Sequence, residues 1–276
     1  MLKDIDHLKE PSMIIVGELI NASRKKIGEA ISGRDAEYIG KIAREQMEAG
    51  AHYIDVNAGI FVDDEPGCLR WLVETVQKEH DIPCSIDSPS PAAIETALSV
   101  HKGTPMINSI SLEKDRYDQL LPILAGTNMK IVALCMSDDG MPQTVEDRLS
   151  IADKLVNGLL QHNVAIENIF IDPLVQPIST NKDFGMGFLD AVEEIMKRFE
   201  GIHTMCGLSN ISFGLPARKF LNRVFAVMAI ANGLDGLIIN PLDRQLMGNL
   251  IAAEALAGRD DYCMNYLKAF RAGGLE

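Results

Sequence analysis

The sequence lacks the cysteine and histidine patterns that hold metal ions. No CxxC, HxxEH or HExxH spacing occurs, so a zinc site is not predicted. The five cysteines are odd in number and widely spaced, and three of them lie in apolar runs, which is typical of buried free thiols in a reducing compartment. They are Cys68, Cys84, Cys135, Cys206 and Cys263. We therefore expect neither a disulfide framework nor a bound metal in this chain.

Long apolar runs and an excess of positive charge are also missing. No apolar run reaches the roughly 18 residues that a membrane-spanning helix needs. The start of the chain, MLKDIDHLKEPSMIIVG, is charged and lacks the layout of a signal peptide. The formal net charge of -13 is opposite to that of the basic surfaces that bind nucleic acid. We expect a cytoplasmic protein that binds neither membranes nor nucleic acid.

The composition is that of an ordinary soluble globular chain. Hydrophobic residues make up 47% and charged residues 24% of it, which excludes a disordered or fibrous class. A length of 276 residues suits one α/β barrel. No internal repeat, low-complexity segment or Pro/Gly/Ser-rich linker divides the chain. We predict a single domain over residues 1–276.

Apolar strand-like runs alternate with helical patterns from end to end, as in parallel βα units. The eight predicted strands are residues 13–18, 53–57, 83–87, 105–109, 130–136, 168–172, 203–208 and 236–240. The eight predicted helices are residues 35–49, 67–80, 91–100, 117–125, 145–162, 188–199, 218–232 and 244–257. Ser90 directly before Pro91 is a favourable helix start. Eight uninterrupted units favour an α/β fold of the closed (β/α)8 TIM-barrel type over a doubly wound sheet.

The stretch that organises the functional prediction is residues 203–216, HTMCGLSNISFGLP, where an apolar run breaks into small polar residues at Asn210. In a barrel, chemistry lies just past the strand ends. Most polar residues at the predicted strand ends are Asp or Asn: Glu18, Asn21, Asp55, Asn57, Asp87, Asn108, Asp172, Ser209, Asn210 and Asn240. Carboxylates and carboxamides can hydrogen-bond a flat heterocycle along its edge. A ring-binding pocket therefore suits this set better than a metal site or a nucleophilic site, which would need histidine.

Each candidate also has a structural interpretation. Asp87 could cap a helix, although Ser90 fills that role better. Asp172 could start a turn before a proline, and Asn108 could be a satisfied amide inside an apolar run. Asn210 could be a turn residue between a strand and a glycine-containing loop. From position alone, a structural role is favoured for Glu18, Asn21, Asp55, Asn57 and Asn240.

Five short motifs in this order carry a resemblance to a known family. They are VGELIN, SIDSP, MINSIS, FIDPLV and CGLSNISFG, and each lies at a predicted strand end. With them the chain resembles the pterin-binding methyltransferases that use methyltetrahydrofolate and a corrinoid protein. This family is related to the folate module of cobalamin-dependent methionine synthase and, more distantly, to dihydropteroate synthase. The resemblance covers nearly the whole chain.

The resemblance implies a reaction and a set of site residues. A methyl group would move, in either direction, between N5 of tetrahydrofolate and the cobalt of a corrinoid (cobalamin). Because the chain has no DxHxxG corrinoid motif, the corrinoid would be carried by a separate partner protein, and the enzyme would be a homodimer. Asn210 and Asp172 would be catalytic, with Asn210 near N5. The implied pterin-binding residues are Asn21, Asp87, Asn108, Asp172, Gly207, Ser209 and Asn210.

Two other functions remain open at this stage. Phe213 occupies a position where some family members have Gln, which leaves room for a folate-binding protein without turnover. A synthase like dihydropteroate synthase is the third possibility, although VGELINASRKKI and IINPLDRQ do not resemble its first loop and its basic last-strand motif. Methyl transfer to a free corrinoid would separate the first two functions, and consumption of p-aminobenzoate would identify the third.

Basic residues follow the first and seventh predicted strands. They are Arg24, Lys25, Lys26, Arg218 and Lys219. An anionic folate tail or a partner protein could bind to them, and the alternative is a solvated loop.

Overall fold

The eight parallel strands close into one barrel in sequential order, β1 to β8. The computed structural model describes residues 12–78 and 81–275. The strands are β1 Ile14–Asn21, β2 Tyr53–Asn57, β3 Cys84–Asp87, β4 Met106–Leu112, β5 Lys130–Ser137, β6 Ile169–Asp172, β7 His203–Gly207 and β8 Gly236–Ile239. The predicted TIM barrel is confirmed. Residues 1–11, which contain most of the charged start, and the last two residues of predicted helix 67–80 lie outside the described residues.

Helices follow every strand and cover the outside of the barrel. They are α1 Lys25–Ser32, α2 Ala36–Glu48, α3 Glu65–Val76, α4 Pro91–Leu98, α5 Lys114–Leu124, α6 Val145–Gln161, α7 Phe184–Arg198, α8 Arg218–Ala231, α9 Arg244–Leu256 and α10 Met264–Arg271. The predicted cap is confirmed, since the Ser90 side chain accepts from the Ala93 N–H at 3.3 Å. The sequence patterns missed α1 and α10, and they placed the starts of α5 and α7 several residues too late.

Two apolar layers hold the barrel together. Inside it, side chains from most strands form a small cluster: Ile14, Val16, Tyr53, Met106, Val132, Phe170 and Met205. Outside it, the other faces of the same strands pack against the helices in two larger clusters. Because strands covered on both faces present apolar residues at successive positions, β6 appears in the sequence as the run IFID, in which every residue is buried.

The first strand contains an irregularity that matters for the site. Its register with β2 shifts between Gly17 and Ile20, as in a β-bulge. The buried Gln46 side chain of α2 accepts a hydrogen bond from the Leu19 N–H within this bulge at 3.0 Å. An added Cβ on Gly17 would lie 2.5 Å from the same Gln46 oxygen. Glycine is therefore required where the side chain braces the strand.

All five cysteines are free, as expected, but they are not all buried. Cys84, Cys135 and Cys206 lie in strands and Cys68 in α3, whereas Cys263 is exposed, because the short C-terminal helix that it precedes has no buried residue. None of the helices in the part of the chain that the structure describes is long and apolar enough to span a membrane.

Candidate functional site

Polar side chains of β2, β3 and β4 form one hydrogen-bonded unit. Asp55 in β2 is 4% exposed, and its Oδ1 accepts from Ser85 Oγ at 2.7 Å and from Asn108 Nδ2 at 3.3 Å. Asn57, at the end of the same strand, donates through Nδ2 to Asp87 Oδ2 at 2.9 Å. Strand β2 thus supplies a partner for each of two predicted pterin-binding residues, Asp87 on the adjacent strand β3 and Asn108 on β4, the next strand after it.

These bonds determine which atoms of Asp87 and Asn108 remain available. Asp87 has Oδ1 left as an acceptor. The amide nitrogen of Asn108 is oriented towards Asp55, so its carboxamide oxygen is the atom left to accept. Asp87 and Asn108 are paired in register on the adjacent strands β3 and β4, and two acceptors at this spacing match a ligand edge that carries N–H groups.

The end of the barrel at which the carboxyl ends of the strands lie is here called the mouth. In this part of it, two carboxyl groups, those of Asp55 and Asp87, have raised pKa values. The pKa of Asp55 is raised well above its usual range, first by burial and then by the charge of Asp87. The pKa of Asp87 is also raised by burial, while the Asn57 hydrogen bond and the Arg116 charge act in the opposite direction. A ligand that donates hydrogen bonds here would relieve part of this unfavourable burial.

Asp172 is the buried carboxyl group on the opposite side of the mouth. It ends β6 and is 8% exposed. Its Oδ1 accepts from the Leu174 N–H at 2.8 Å, and the backbone of Gly207 in β7 also hydrogen-bonds it. Burial raises its pKa from 3.8 to about 7, against the opposing effects of these bonds and of Arg148. Asp172 therefore exchanges its proton near neutral pH.

The seventh strand leads directly into a 3-10 helix, Leu208–Ser212, which carries Asn210. The strand is shorter than predicted because Leu208 already belongs to this helix. Asn210 is exposed, and its carboxamide has no hydrogen-bond partner among the described residues. An added Cβ on Gly207 would lie 3.8 Å from Asn210 Nδ2, so the amide lies close to the glycine that contacts Asp172.

The first strand contributes Glu18 to the mouth. Glu18 Oε1 accepts from Arg24 Nη2 at 2.9 Å, and burial raises the pKa of Glu18 despite that charge. Glu18, Ser209, Asn240 and Asp243 are among the residues lining a cavity of about 170 Å³ between β1, β8 and the 3-10 helix. The open space at the mouth therefore extends past Asp87 and Asp172 to the ends of β1 and β8.

Two of the strand-end asparagines are engaged in local turns. Asn21 Oδ1 accepts from the Ser23 N–H at 3.0 Å and from Ser23 Oγ at 2.6 Å. Asn240 Oδ1 accepts from the Leu242 N–H at 3.0 Å. Asn21 therefore keeps only its amide N–H₂ group for a ligand, while Asn240 keeps its amide N–H₂ group and one lone pair of its oxygen.

The basic residues predicted near the mouth have different surroundings. Arg24 is paired with Glu18, and Arg218 donates to the Ser209 carbonyl at 2.6 Å and to Ser212 Oγ at 3.0 Å. Lys219 lies 3.9 Å from Asp243 and is largely exposed. Lys25 and Lys26 are exposed at the start of α1. The two arginines thus hold parts of the mouth in place.

Comparison with known proteins shows the family of this chain. A family model described as pterin binding enzyme matches residues 17–240, from the bulge of β1 to the residue after β8. The chain belongs to the pterin-binding enzyme family. This pterin-binding enzyme is 37% identical over 263 residues to a methylcorrinoid:tetrahydrofolate methyltransferase of Eubacterium limosum, a match that covers 95% of this chain and 97% of that protein. The family resemblance expected from the five motifs is confirmed.

Two further similarities are more distant. The chain is 29% identical over 249 residues to a methionine synthase of Mycobacterium tuberculosis, covering 86% of this chain but 21% of that protein. It also superimposes on a dihydropteroate synthase of Coxiella burnetii in complex with pteroic acid, with a TM-score of 0.72 and 14% identity, over 91% of this chain and 95% of the other. At that identity the structural match demonstrates the fold alone.

Two arginines of this pterin-binding enzyme support the site although no sequence pattern predicted them. Arg116 of α5 donates to the carbonyls of Ser88, Pro89 and Ser109 at 2.9, 3.0 and 2.7 Å, directly after Asp87 and Asn108. Arg148 of α6 makes similar bonds after Asp172. Both arginines bind main-chain carbonyls, which every residue has. No pair of residue types in the sequence therefore indicates these contacts.

In the described ranges, no group of three or more His, Cys, Asp or Glu side chains is arranged to hold a metal ion.

Proposed function

We propose that residues 1–276 form one pterin-binding barrel domain that moves a methyl group between N5 of tetrahydrofolate and the cobalt of a corrinoid on a separate protein. The 37% identity to the Eubacterium limosum methyltransferase over 95% of the chain is the observation that carries this function. The exposed, unpartnered carboxamide of Asn210 beside the buried Asp172 supports it chemically.

The pterin ring binds to three acceptors in this proposal. Asp87 Oδ1 and the Asn108 carboxamide oxygen accept N–H groups on one edge of the ring, since their other polar atoms are bound to β2. Asp172 accepts from the ring on the other side of the mouth, in its carboxylate form. Gly207 leaves room for the ring because it has no side chain, while Ser209 and the Asn21 amide lie at the rim.

Asn210 assists the methyl transfer itself. A tertiary amine is a poor leaving group unless its nitrogen is protonated or strongly hydrogen-bonded in the transition state. The Asn210 carboxamide can accept from protonated N5 or, after rotation, donate to neutral N5, without titrating. The cobalt electron pair forms the new bond to carbon, and the pair of the broken C–N bond returns to N5. The reverse transfer uses the same contacts.

The rim of the mouth suits a partner that brings an apolar group to the site. Six large apolar side chains are exposed on the loops and helix starts that surround it: Ile60, Val62, Met141, Met186, Phe213 and Leu242. Phe213 is 63% exposed and its N–H donates to the Asn210 carbonyl at 3.1 Å. A corrin ring docked against Phe213 would therefore approach the methyl group held at Asn210.

A second group of exposed apolar residues lies on α8 and α10 and supports a homodimer. Phe220, Val224 and Met228 form a stripe on α8. Met264, Leu267 and Phe270 form another on α10, a helix of 8 residues none of which is buried. So short a helix is not stable alone in water. Pairing of these faces between two copies would bury both stripes.

Sedimentation velocity tests the dimer. We expect a dimer for the wild type and a monomer for Val224→Glu, while Leu160→Glu, at an exposed apolar position on α6, leaves the dimer intact. A monomeric wild type at micromolar concentration would contradict the pairing.

The reaction is tested by following the cobalt absorbance during methyl exchange between tetrahydrofolate and free cobalamin. Asn210→Ala should lower kcat by about 10²-fold, or ~3 kcal/mol, which is typical of losing one preorganised hydrogen-bonding group, with a much smaller loss of folate affinity. Asn232→Ala, which removes an amide bonded to Met228 after α8, is the matched control. A wild type that binds folate but never transfers the methyl group, even with corrinoid proteins added, would favour a folate-binding protein.

A further inference from the structure

A buried arginine holds the chain directly after Asp172. Arg148 of α6 is 0% exposed. Its Nε donates to the Pro173 carbonyl at 2.9 Å, Nη1 to the Thr144 carbonyl at 3.0 Å and Nη2 to the Leu174 carbonyl at 3.5 Å. The whole guanidinium is thus used to bind main-chain oxygens, two of which belong to the loop that leaves β6.

The surroundings of Arg148 do not explain it as an ordinary ion pair. No carboxylate of the described ranges lies within 4.0 Å of its guanidinium nitrogens. A buried charge without an ionic partner is unfavourable unless its hydrogen bonds are satisfied. At longer range its positive charge interacts with Asp147 and with Asp172, and it lowers the pKa of Asp172. Asp147 is exposed in the first turn of α6, so Asp172 is the buried carboxyl group that this charge affects.

The loop that Arg148 holds has a strained conformation that bears directly on Asp172. Leu174 has a φ of +66°, in the left-handed region that a residue with a side chain rarely adopts. In that conformation its N–H donates to Asp172 Oδ1 at 2.8 Å. Arg148 binds the carbonyls on either side of this N–H. The contacts run from Arg148 to the loop and from the loop to Asp172.

We propose that Arg148 is a positioning residue for the pterin site, which fixes the Asp172 carboxylate through residues 173–174 and keeps a positive charge near it. The inference rests on the proposed role of Asp172 in binding folate. The other titratable groups that face Asp172 are the thiols of Cys135 in β5 and Cys206 in β7. Burial raises the pKa of both thiols, so both are neutral in the working range, and Arg148 is the neighbour that supplies charge.

Two substitutions separate the two contributions of Arg148. Arg148→Lys keeps the charge but loses the fork geometry that binds two loop carbonyls. Arg148→Gln removes the charge. The matched control is Arg259→Lys, because Arg259 also binds two carbonyls, those of Leu234 at 2.7 Å and Ile230 at 2.9 Å, at the opposite end of the barrel.

The measurement is tetrahydrofolate affinity, by calorimetric titration between pH 5.5 and 8.5, beside kcat and KM for methyl transfer. Arg148→Lys should weaken folate binding about tenfold, equal to ~1.4 kcal/mol, and raise KM more than it lowers kcat. Arg148→Gln should in addition move the midpoint of the binding curve to higher pH, because the Asp172 pKa rises when the positive charge is removed. Arg259→Lys should change only the melting temperature.

The proposal would be overturned if both Arg148 variants kept the wild-type folate affinity and pH midpoint and lost only melting temperature, as Arg259→Lys does. If the Arg148 variants do not fold, they are made in a Leu174→Gly background, where glycine adopts the positive φ without strain. Weaker folate binding by the double variant than by Leu174→Gly alone supports the positioning role, and equal binding by the two overturns it. Folate binding without methyl transfer refutes the reaction alone, and no folate binding refutes both.

Discussion

The buried carboxyl group of Asp172 should make the wild-type protein less stable at high pH than a variant without it. Its pKa is 3.8 in the unfolded reference and about 7 in the folded protein. The folded state therefore binds more protons than the unfolded state between these values, and stability falls as pH rises through this window. A difference of roughly 3 pKa units corresponds to at most about 4 kcal/mol at pH 8.

Asp172→Asn removes this penalty and keeps an oxygen that can accept from the Leu174 N–H. Urea unfolding of both proteins at pH 4, 5, 6, 7 and 8 measures the difference in free energy of unfolding. At pH 4 we expect the two proteins to differ little in this pH-dependent part of the free energy of unfolding. The variant should become more stable than the wild type as the pH rises to 7, and the difference should stay constant above pH 7. Asp55, Asp87 and Glu18 also have raised pKa values, but they are present in both proteins and cancel.

The same substitution should weaken folate binding, since a carboxylate that accepts from the ring is replaced by a neutral amide. A variant that is both more stable and a poorer binder is the expected outcome for a residue retained for function. If the stability difference does not change between pH 5 and pH 8, the carboxyl group is not held in the environment described, and the reasoning fails.

Two further predictions concern the first βα unit. Gly17→Ala should destabilise the protein by about 1–3 kcal/mol in urea unfolding, because the new methyl group overlaps the Gln46 side chain. The control is Gly40→Ala in α2, which has open space around it and should stabilise the protein by about 0.5–1 kcal/mol. Equal effects of the two substitutions would contradict the bracing role of Gln46. Joint replacement of the exposed Lys25 and Lys26 by Gln should weaken binding of polyglutamylated folate or of the corrinoid protein at low salt, and unchanged affinity for both would exclude these lysines from binding.

The sequence was sufficient for the barrel because its buried strands are short apolar runs at regular intervals. Runs such as IFID, which ends in Asp172, fit a buried strand and no other element. The helices α1 and α10 were missed for opposite reasons: α1 begins in a basic segment that resembles a loop, and α10 has no buried face whose periodicity could be detected. Helix starts were placed late at α5 and α7, because the first turn of each is polar or glycine-rich.

Within the candidate site, position at a predicted strand end made Asp87, Asn108 and Asp172 candidates, and their roles in binding remain predictions. Their supports could not be predicted in the same way. An arginine that binds backbone carbonyls, as Arg116 and Arg148 do, looks in sequence like any arginine of an amphipathic helix. Arg24 pairs with Glu18, which lies in the bulge of β1. Because only the strand register reveals this bulge, the sequence alone does not show whether Arg24 faces a ligand or Glu18.

The hydrogen bonds from β2 to Asp87 and Asn108 divide the mouth into two parts with different mechanical properties. The part that we propose to recognise the ring is assembled before any ligand arrives, so little conformational entropy would be lost there on binding. Asn210 can still rotate, because no described residue holds its carboxamide. An enzyme that must bind a small molecule and a protein together needs both properties. A rigid part holds the first substrate, and an adaptable part meets the second.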